Sequence, residues 1–385
     1  MIKSKINILI ICFTDLARDP RVYRQILFLK DVYHVTVAGL GDPGINGADF
    51  IHIDSALQKF VPRQIRKFRQ IIRQFEKAYW TLPVVQRAYA LLRNQPADLI
   101  IANDLTTLPI SVEIAKNINA KLLFDAHEFE PRQFEDRWMF NLIYKKYFDY
   151  LCRSYLRKTD GMMTVGQNIA DEYRKVYGVD CDVLTNAPFY QNQTSNPVSD
   201  NQIRLIHHGG ISPSRKIENM IYLMDQLEDR FTLDLMLIDK KGRYLQKLKS
   251  LAKHIPRIKF VNPVPMPDIA STINKYDIGL YPLVPASFNQ RMALPNKIFE
   301  FIQARLAVAI WPSPEMARIV NDYDCGVVSE NFTIESLAEK MNKLSEVDIM
   351  RFKNNAHQAA RELSAENNKR ILLKIIQDIL NDGHA

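Results

Sequence analysis

Strand-like and helix-like segments alternate along this chain from end to end, a pattern that few architectures accommodate. Apolar runs at 7–12, 34–39, 98–102, 121–125 and 161–165 are separated by helical segments at 21–31, 108–118, 139–157 and 169–177. Strands joined by helices must run parallel, so the pattern predicts a doubly wound parallel sheet with ligands at the carboxyl ends of its strands. Between 190 and 202 the composition shifts to Asn, Gln, Ser, Thr, Pro and Asp, and then the same grammar restarts. Strands at 204–207, 232–238, 258–261, 278–281 and 307–311 alternate with helices at 217–227, 244–252, 268–275 and 295–304, and a helical end follows at 334–380. At roughly 150 residues per domain, 385 residues fit two such units with a cleft between them.

Hydrophobic residues make up 47% and charged residues 24%, which excludes a disordered or fibrous chain. The longest apolar runs fall short of the ~18 residues that cross a bilayer. The start, Met1-Ile-Lys-Ser-Lys before an apolar stretch, runs into Thr14-Asp15 without a small-residue cleavage site, and it reads as the first strand of a cytosolic protein. Cys12, Cys152, Cys181 and Cys325 are scattered with no C-x-x-C pair, which fits a reducing compartment and no zinc site.

Lys and Arg number 51 against 43 Asp and Glu, a net charge of +8, and the excess implies an anionic partner. Part of it is concentrated from Lys59 to Trp80. There Val61, Ile65, Phe68, Ile72, Phe75 and Tyr79 recur at helical spacing, while Lys59, Arg63, Arg66, Lys67, Arg69, Arg73 and Lys77 face the single acid Glu76. The spacing predicts one helix, lying either on an anionic membrane through Arg63, Arg66, Lys67, Arg69 and Arg73 or on the core with a basic solvated side. No nucleic-acid motif accompanies the charge, and no nucleic-acid partner is expected.

The sharpest chemical constellation is Leu294-Pro295-Asn296-Lys297-Ile298-Phe299-Glu300-Phe301-Ile302-Gln303-Ala304. Proline suits the first turn of a helix, whose unpaired amides favour an anion, and Lys297 adds a full charge. Glu300 sits among apolar residues, where a carboxylate needs a partner: vicinal ribose hydroxyls, an arginine, or solvent reached by snorkelling.

This segment, followed by the strand at 307–311 and Ser313-Pro314-Glu315-Met316, resembles the donor-site signature of family 4 glycosyltransferases. The likeness continues through Asp19-Pro20-Arg21-Val22, Asn103-Asp104-Leu105-Thr106-Thr107-Leu108-Pro109, Phe124-Asp125-Ala126-His127-Glu128, Thr164-Val165-Gly166 and Asn186-Ala187-Pro188. It ends with His208-Gly209-Gly210-Ile211-Ser212-Pro213-Ser214-Arg215. The resemblance implies the α/β GT-B fold, two Rossmann-like doubly wound parallel-sheet domains facing a cleft. Residues 1–192 would form the acceptor domain and 193–366 the nucleotide-sugar donor domain, with 367–385 a helix returning to the first domain.

By the same resemblance, Gly209 and Gly210 let backbone approach a diphosphate, Arg215 carries a guanidinium to it, and Asn296 and Lys297 hold the phosphates. Glu300 would take the ribose, and Asn289 would touch the sugar. His127 resembles the catalytic-site histidine that contacts the donor sugar. Asp19, Arg21 and Asp104, just past strands, are acceptor-binding candidates, with helix capping the alternative for Asp19. Many family members carry a second glutamate eight positions before the ribose glutamate, where this chain has Met292. That departure puts the sugar contacts in question, not the nucleotide site. His207-His208 has no third ligand at metal spacing, and no metal or other cofactor is expected.

The expected activity is retaining, metal-independent transfer of a hexose, with UDP-sugar as the expected donor and a glycan or lipid-linked glycan as acceptor, in cell-surface polysaccharide synthesis. The protein would sit peripherally on the inner face of the cytoplasmic membrane. Two alternatives stand beside it: a catalytically silent, glycosyltransferase-like membrane scaffold, and a nucleotide-sugar epimerase of similar build.

Overall fold

The computed structural model describes residues 5–54, 63–199, 201–239 and 242–381. The chain forms two compact units: Met1–Thr185 with Ser287–Asn289 and Lys369–Ala385, and Asn186–Ala286 with Gln290–Asn368.

The first unit is built on seven parallel strands: β1 (Asn7–Ile11), β2 (His34–Gly39), β3 (Asp49–His52), β4 (Leu99–Asn103), β5 (Lys121–Ala126), β6 (Gly161–Thr164) and β7 (Asp182–Val183). Their order is β3-β2-β1-β4-β5-β6-β7, so the winding reverses between β1 and β4. The central strands are continuous apolar runs because helices cover both faces, and Leu9, Ile10, Ile11 and Ile100 are fully buried. The helices are α1 (Pro20–Leu29), α2 (Arg63–Ile71), α3 (Phe75–Trp80), α4 (Pro83–Leu92), α5 (Leu108–Ile118), α6 (Lys145–Tyr155) and α7 (Gln167–Tyr177).

The second unit has six parallel strands, β8 (Ile203–Gly210), β9 (Phe231–Ile238), β10 (Ile258–Val261), β11 (Ile278–Tyr281), β12 (Ala307–Ile310) and β13 (Gly326–Val328), in the order β10-β9-β8-β11-β12-β13. Its helices are α8 (Glu218–Gln226), α9 (Arg243–Leu251), α10 (Ile269–Ile273), α11 (Phe288–Arg291), α12 (Asn296–Gln303), α13 (Pro314–Asp322), α14 (Ile334–Asn342) and α15 (Glu346–Ala359). The first two residues of α11 count with the first unit. The last helix, α16 (Ala365–Asn381), belongs to the first unit from Lys369 onward.

Three expectations change. The single helix over 59–80 is two helices, with Lys59 and Val61 outside the described residues. The break falls at Arg73, whose φ of 60° is left-handed, and the Gln74 N–H returns to the Arg69 carbonyl at 2.8 Å as at a helix C-terminus. The helical region over 139–157 opens with a π-helical turn, Phe140–Tyr144, before α6. The polar segment after Thr185, expected to end the first domain at 192, folds with the second unit instead. There the Pro188 carbonyl accepts from the Ala365 N–H at 2.7 Å, and the Gln191 N–H donates to Gln303 Oε1 at 2.9 Å. Arg305 completes the clasp by donating to the Gln191 carbonyl at 2.6 Å.

Candidate active site

In each unit the chemistry-bearing side chains gather at the carboxyl ends of the central strands, as an open parallel sheet dictates. In the first unit β1, β4 and β5 supply them. Asp19 caps α1, its carboxylate accepting from the N–H groups of Arg21 and Val22 at 3.2 Å and from Thr14 Oγ1 at 2.8 Å. The capping alternative therefore describes this residue. Arg21, expected to bind acceptor, is buried, and its guanidinium grips Asp125 with two bonds of 2.7 Å while donating to the Leu184 carbonyl at 2.6 Å. Gln25 also donates to Asp125. Arg21 therefore builds the floor of this site.

His127 follows β5 and lies between two aspartates, its Nδ1 3.1 Å from Asp104 and its Nε2 3.7 Å from Asp125. Burial works against charge on the imidazole, but Asp104 and Asp125 outweigh it and raise the pKa to about 9. His127 is therefore an imidazolium at neutral pH. Burial raises the Asp104 pKa, but the opposing effects of His127 and Arg21 prevail and hold it below the usual range. Asp104 stands in a tight turn with φ 66°, where an aspartate is tolerated and most residues are not. Beside it, the buried Asn103 amide has neither polar atom paired among the described residues.

Sequence reasoning passed over Glu130. It is buried, accepts from the Leu105 N–H at 3.2 Å and from the Tyr173 hydroxyl at 2.8 Å, and so pins the turn that carries Asp104. Burial first, and Asp104 second, push its pKa up to about 7. Nothing in its sequence neighbourhood marks it, because its partners lie far along the chain. Asn289 belongs to this unit and not with the expected donor residues. Its amide oxygen accepts from the Phe129 N–H at 3.1 Å, and its nitrogen donates to Glu128 and to the Phe129 carbonyl.

The second unit brings the remaining expected residues together around the ends of β8 and β11 and the start of α12. The helix begins at Asn296 with Pro295 as its cap, one residue later than expected, and leaves the first amides of the turn pointing outward. Lys297 is almost fully buried, with its ammonium 5.2 Å from the Tyr281 ring centre. Gly209 makes room for it. Gly209 has φ 110°, and a Cβ there would lie 2.8 Å from Lys297 Nζ. Arg215 donates to the Gly210 carbonyl from the following turn. Burial, then the nearby Arg215, lower the Lys297 pKa to about 8, partly offset by Glu300. Two cations beside the same glycine backbone favour an anion there.

Glu300 lies one helical turn beyond Lys297, buried, with one oxygen 3.4 Å from His208 Nε2. Burial and Lys297 drive the His208 pKa down to about 3, so this histidine is neutral. His207 donates from Nδ1 to the Leu280 carbonyl at 2.9 Å and stacks on Tyr281, a structural placement. Among the described residues, no group of three or more His, Cys, Asp and Glu is arranged to hold a metal ion. Near Arg215 opens a recess of about 500 Å³, lined among others by Lys216, Asn219, Tyr222, Lys247, Trp311 and Phe332. Its aromatic lining and size suit a nucleoside. Sequence reasoning missed it because its residues come from five separate segments.

Two family models match the chain. Residues 28–187 match the family model described as Glycosyltransferase Family 4, and residues 202–346 match the model described as Glycosyl transferases group 1. No protein of curated function matches the chain. Among solved structures, HepE of Anabaena in complex with UDP superposes with a TM-score of 0.72 at 14% identity, covering 97% of this chain and 100% of HepE. Sucrose-phosphate synthase of Thermosynechococcus elongatus gives 0.75 at 13%, covering 98% and 100%. WaaG, a glycosyltransferase involved in lipopolysaccharide biosynthesis, gives 0.67 at 15%, covering 94% and 99%. HepE is also known with UDP-glucose bound.

Proposed function

The chain belongs to the family 4 glycosyltransferases of the GT-B fold, and from that premise we propose that it moves a hexose from a UDP-sugar to a hydroxyl of a glycan or lipid-linked glycan in cell-surface polysaccharide synthesis. The observation that carries the donor assignment is the pair of close cations, Lys297 and Arg215, set against glycine backbone at the start of α12. A diphosphate relieves their mutual repulsion and accepts from the first amides of the helix. We assign Glu300, one turn on, to the ribose hydroxyls and the aromatic recess to the base.

On this reading His127 hydrogen-bonds a hydroxyl of the donor sugar, and its positive charge makes it a donor rather than a proton acceptor. With Asp104 and Asp125 engaged by His127 and Arg21, these groups offer no general base for the acceptor hydroxyl. We take the reaction as retaining, as the family resemblance implies. The bond from the sugar's anomeric carbon to the β-phosphate oxygen breaks, the acceptor oxygen bonds to that carbon on the same face, and the departing phosphate takes the acceptor proton. The leaving charge falls on Lys297, Arg215 and the helix amides, so transfer proceeds without a metal ion and survives a chelator. The enzyme works at the inner face of the cytoplasmic membrane, beside a lipid-carried acceptor. Among the described residues, no helix is long and apolar enough to cross a membrane.

Thermal unfolding with UDP, UDP-sugars, GDP, GDP-mannose and CMP tests the donor reading, because a ligand that binds only the native state raises the midpoint. The midpoint should rise with uridine nucleotides, and the rise should vanish in Glu300→Ala. Absence of any shift at millimolar nucleotide would sink the enzyme reading and leave the scaffold.

A further inference from the structure

The first unit carries an apolar surface that its own core does not use. Of the fifteen large hydrophobic side chains exposed among the described residues, eight fall in two short segments: Ile65, Phe68, Ile71 and Ile72 in and just after α2, and Phe134, Trp138, Met139 and Leu142 before and within the π-helical turn. Trp138 is 72% exposed and Leu142 64%, values that separate them from residues merely at the rim of a core. The two segments adjoin, since α2 packs against the Phe140–Tyr144 turn. Scattered apolar residues are ordinary on a surface; eight in two adjoining segments mark a binding site.

The charge around this face selects its occupant. Lys67, Arg73, Arg137, Lys145 and Lys146 stand in or beside these two segments in the chain. Glu76, the acid nearest α2 in sequence, is turned inward, where it accepts from Trp80 Nε1 and from the hydroxyls of Tyr150 and Tyr155 at 3.0, 2.9 and 2.7 Å. Glu135 is tied to Arg132 at 2.7 Å, which leaves Asp136 as the exposed acid among the described residues of the two segments. A surface combining aliphatic and tryptophan side chains with a cationic rim matches the interface of an anionic bilayer, where apolar groups enter the acyl boundary and lysine and arginine meet the headgroups. A second copy of the chain would bring the same cations against one another.

We propose that this composite face, α2 together with the Phe134–Leu142 segment, docks on an anionic lipid surface and that Trp138 and Leu142 insert into it. It deepens the reading of an enzyme acting beside a lipid-carried acceptor and rests on that reading for its purpose. Binding therefore has two separable parts. The cationic rim gives a part that salt weakens, and the inserted side chains give a part that salt leaves in place.

The test is co-sedimentation of the full chain, without nucleotide, with vesicles of phosphatidylcholine or of roughly 7:3 phosphatidylcholine to phosphatidylglycerol. The chain should sediment with the anionic vesicles and about tenfold less with the neutral ones. Trp138→Ser with Leu142→Ser should lower binding about tenfold at both low and high salt, whereas Lys67→Glu with Arg73→Glu should act mainly at low salt. A UDP-induced thermal shift retained in these variants shows that they are folded and keeps the donor reading apart from this one. Three results overturn the proposal: no binding to anionic vesicles, wild-type binding by the Trp138/Leu142 variant, or a lipid-free dimer in sedimentation velocity that the same variant dissociates.

Discussion

Asp104 holds a left-handed backbone and faces His127 at 3.1 Å, so this residue, together with Asp125, sets the charge of the imidazole. With its folded pKa about 9 above the ordinary 6.5, His127 contributes stability that is fully present below pH 6.5 and is lost as pH rises through 9. Asparagine tolerates the same backbone, so Asp104→Asn removes the charge with little disturbance of the turn. NMR titration of the imidazole in this variant should show its pKa falling from about 9 toward 6.5, and the destabilisation should be larger at pH 6 than above pH 9. Under the proposed mechanism, His127→Ala lowers kcat on the order of 10²-fold, the usual cost of one transition-state hydrogen-bond donor. Lys297 titrates in the opposite sense: its pKa is held down near 8, so UDP affinity should weaken as pH rises past 8, and isothermal titration of Lys297→Met should show that pH dependence gone. At this scale the sequence disclosed residue types well, since Lys297, Glu300 and His127 could be singled out from motif and position. It did not disclose commitments. That Arg21 is consumed by Asp125, or that Glu130 reaches Leu105, depends on partners distant in the chain.

Between Arg69 and Phe75 a helical repeat that looks continuous in sequence is cut by one left-handed residue, and its apolar stripe divides with it. Phe75 and Tyr79 go into the core with α3, while Ile65, Phe68 and Ile72 stay outside with α2. Periodicity reports that one face is apolar and cannot report whether protein or another phase covers it, so both readings of the stripe survived at sequence level. Glu76 shows what anchors the inward half. It is the common acceptor of Trp80, Tyr150 and Tyr155 and ties α3 to α6. Glu76→Ala leaves three donors without that partner and should cost about 2 kcal/mol in urea unfolding, far more than the ~0.5 kcal/mol of an exposed substitution. The short edge strands β3, β7 and β13 were not legible because two to four half-exposed residues carry too little alternation to register.

Across the whole chain, two parallel sheets with strand orders that reverse beside β1 and β8 put their binding groups at the same relative place, the carboxyl ends flanking the reversal. That repetition was legible because buried parallel strands are long apolar runs separated by helices. The passage between units was less so, because a stretch rich in Asn, Gln and Ser resembles a linker and here is held by backbone bonds. Gln303 is the centre of that hold. Fully buried, it accepts from the Gln191 N–H and donates to the carbonyls of Ala360 and Leu363 at 2.6 and 3.0 Å, joining the entry of the second unit to its last turns. Leucine at 303 would preserve volume and leave one N–H and two carbonyls without their partner, a cost of about 3 kcal/mol. Gln191 contributes its backbone N–H and carbonyl to the clasp, so Gln191→Ala should change stability by less than about 0.5 kcal/mol. Denaturant unfolding of the two variants separates the possibilities: equal, small effects would mean that the segment is a linker after all, whereas a large loss for Gln303→Leu alone would show that residues 186–192 are part of the second unit's fold.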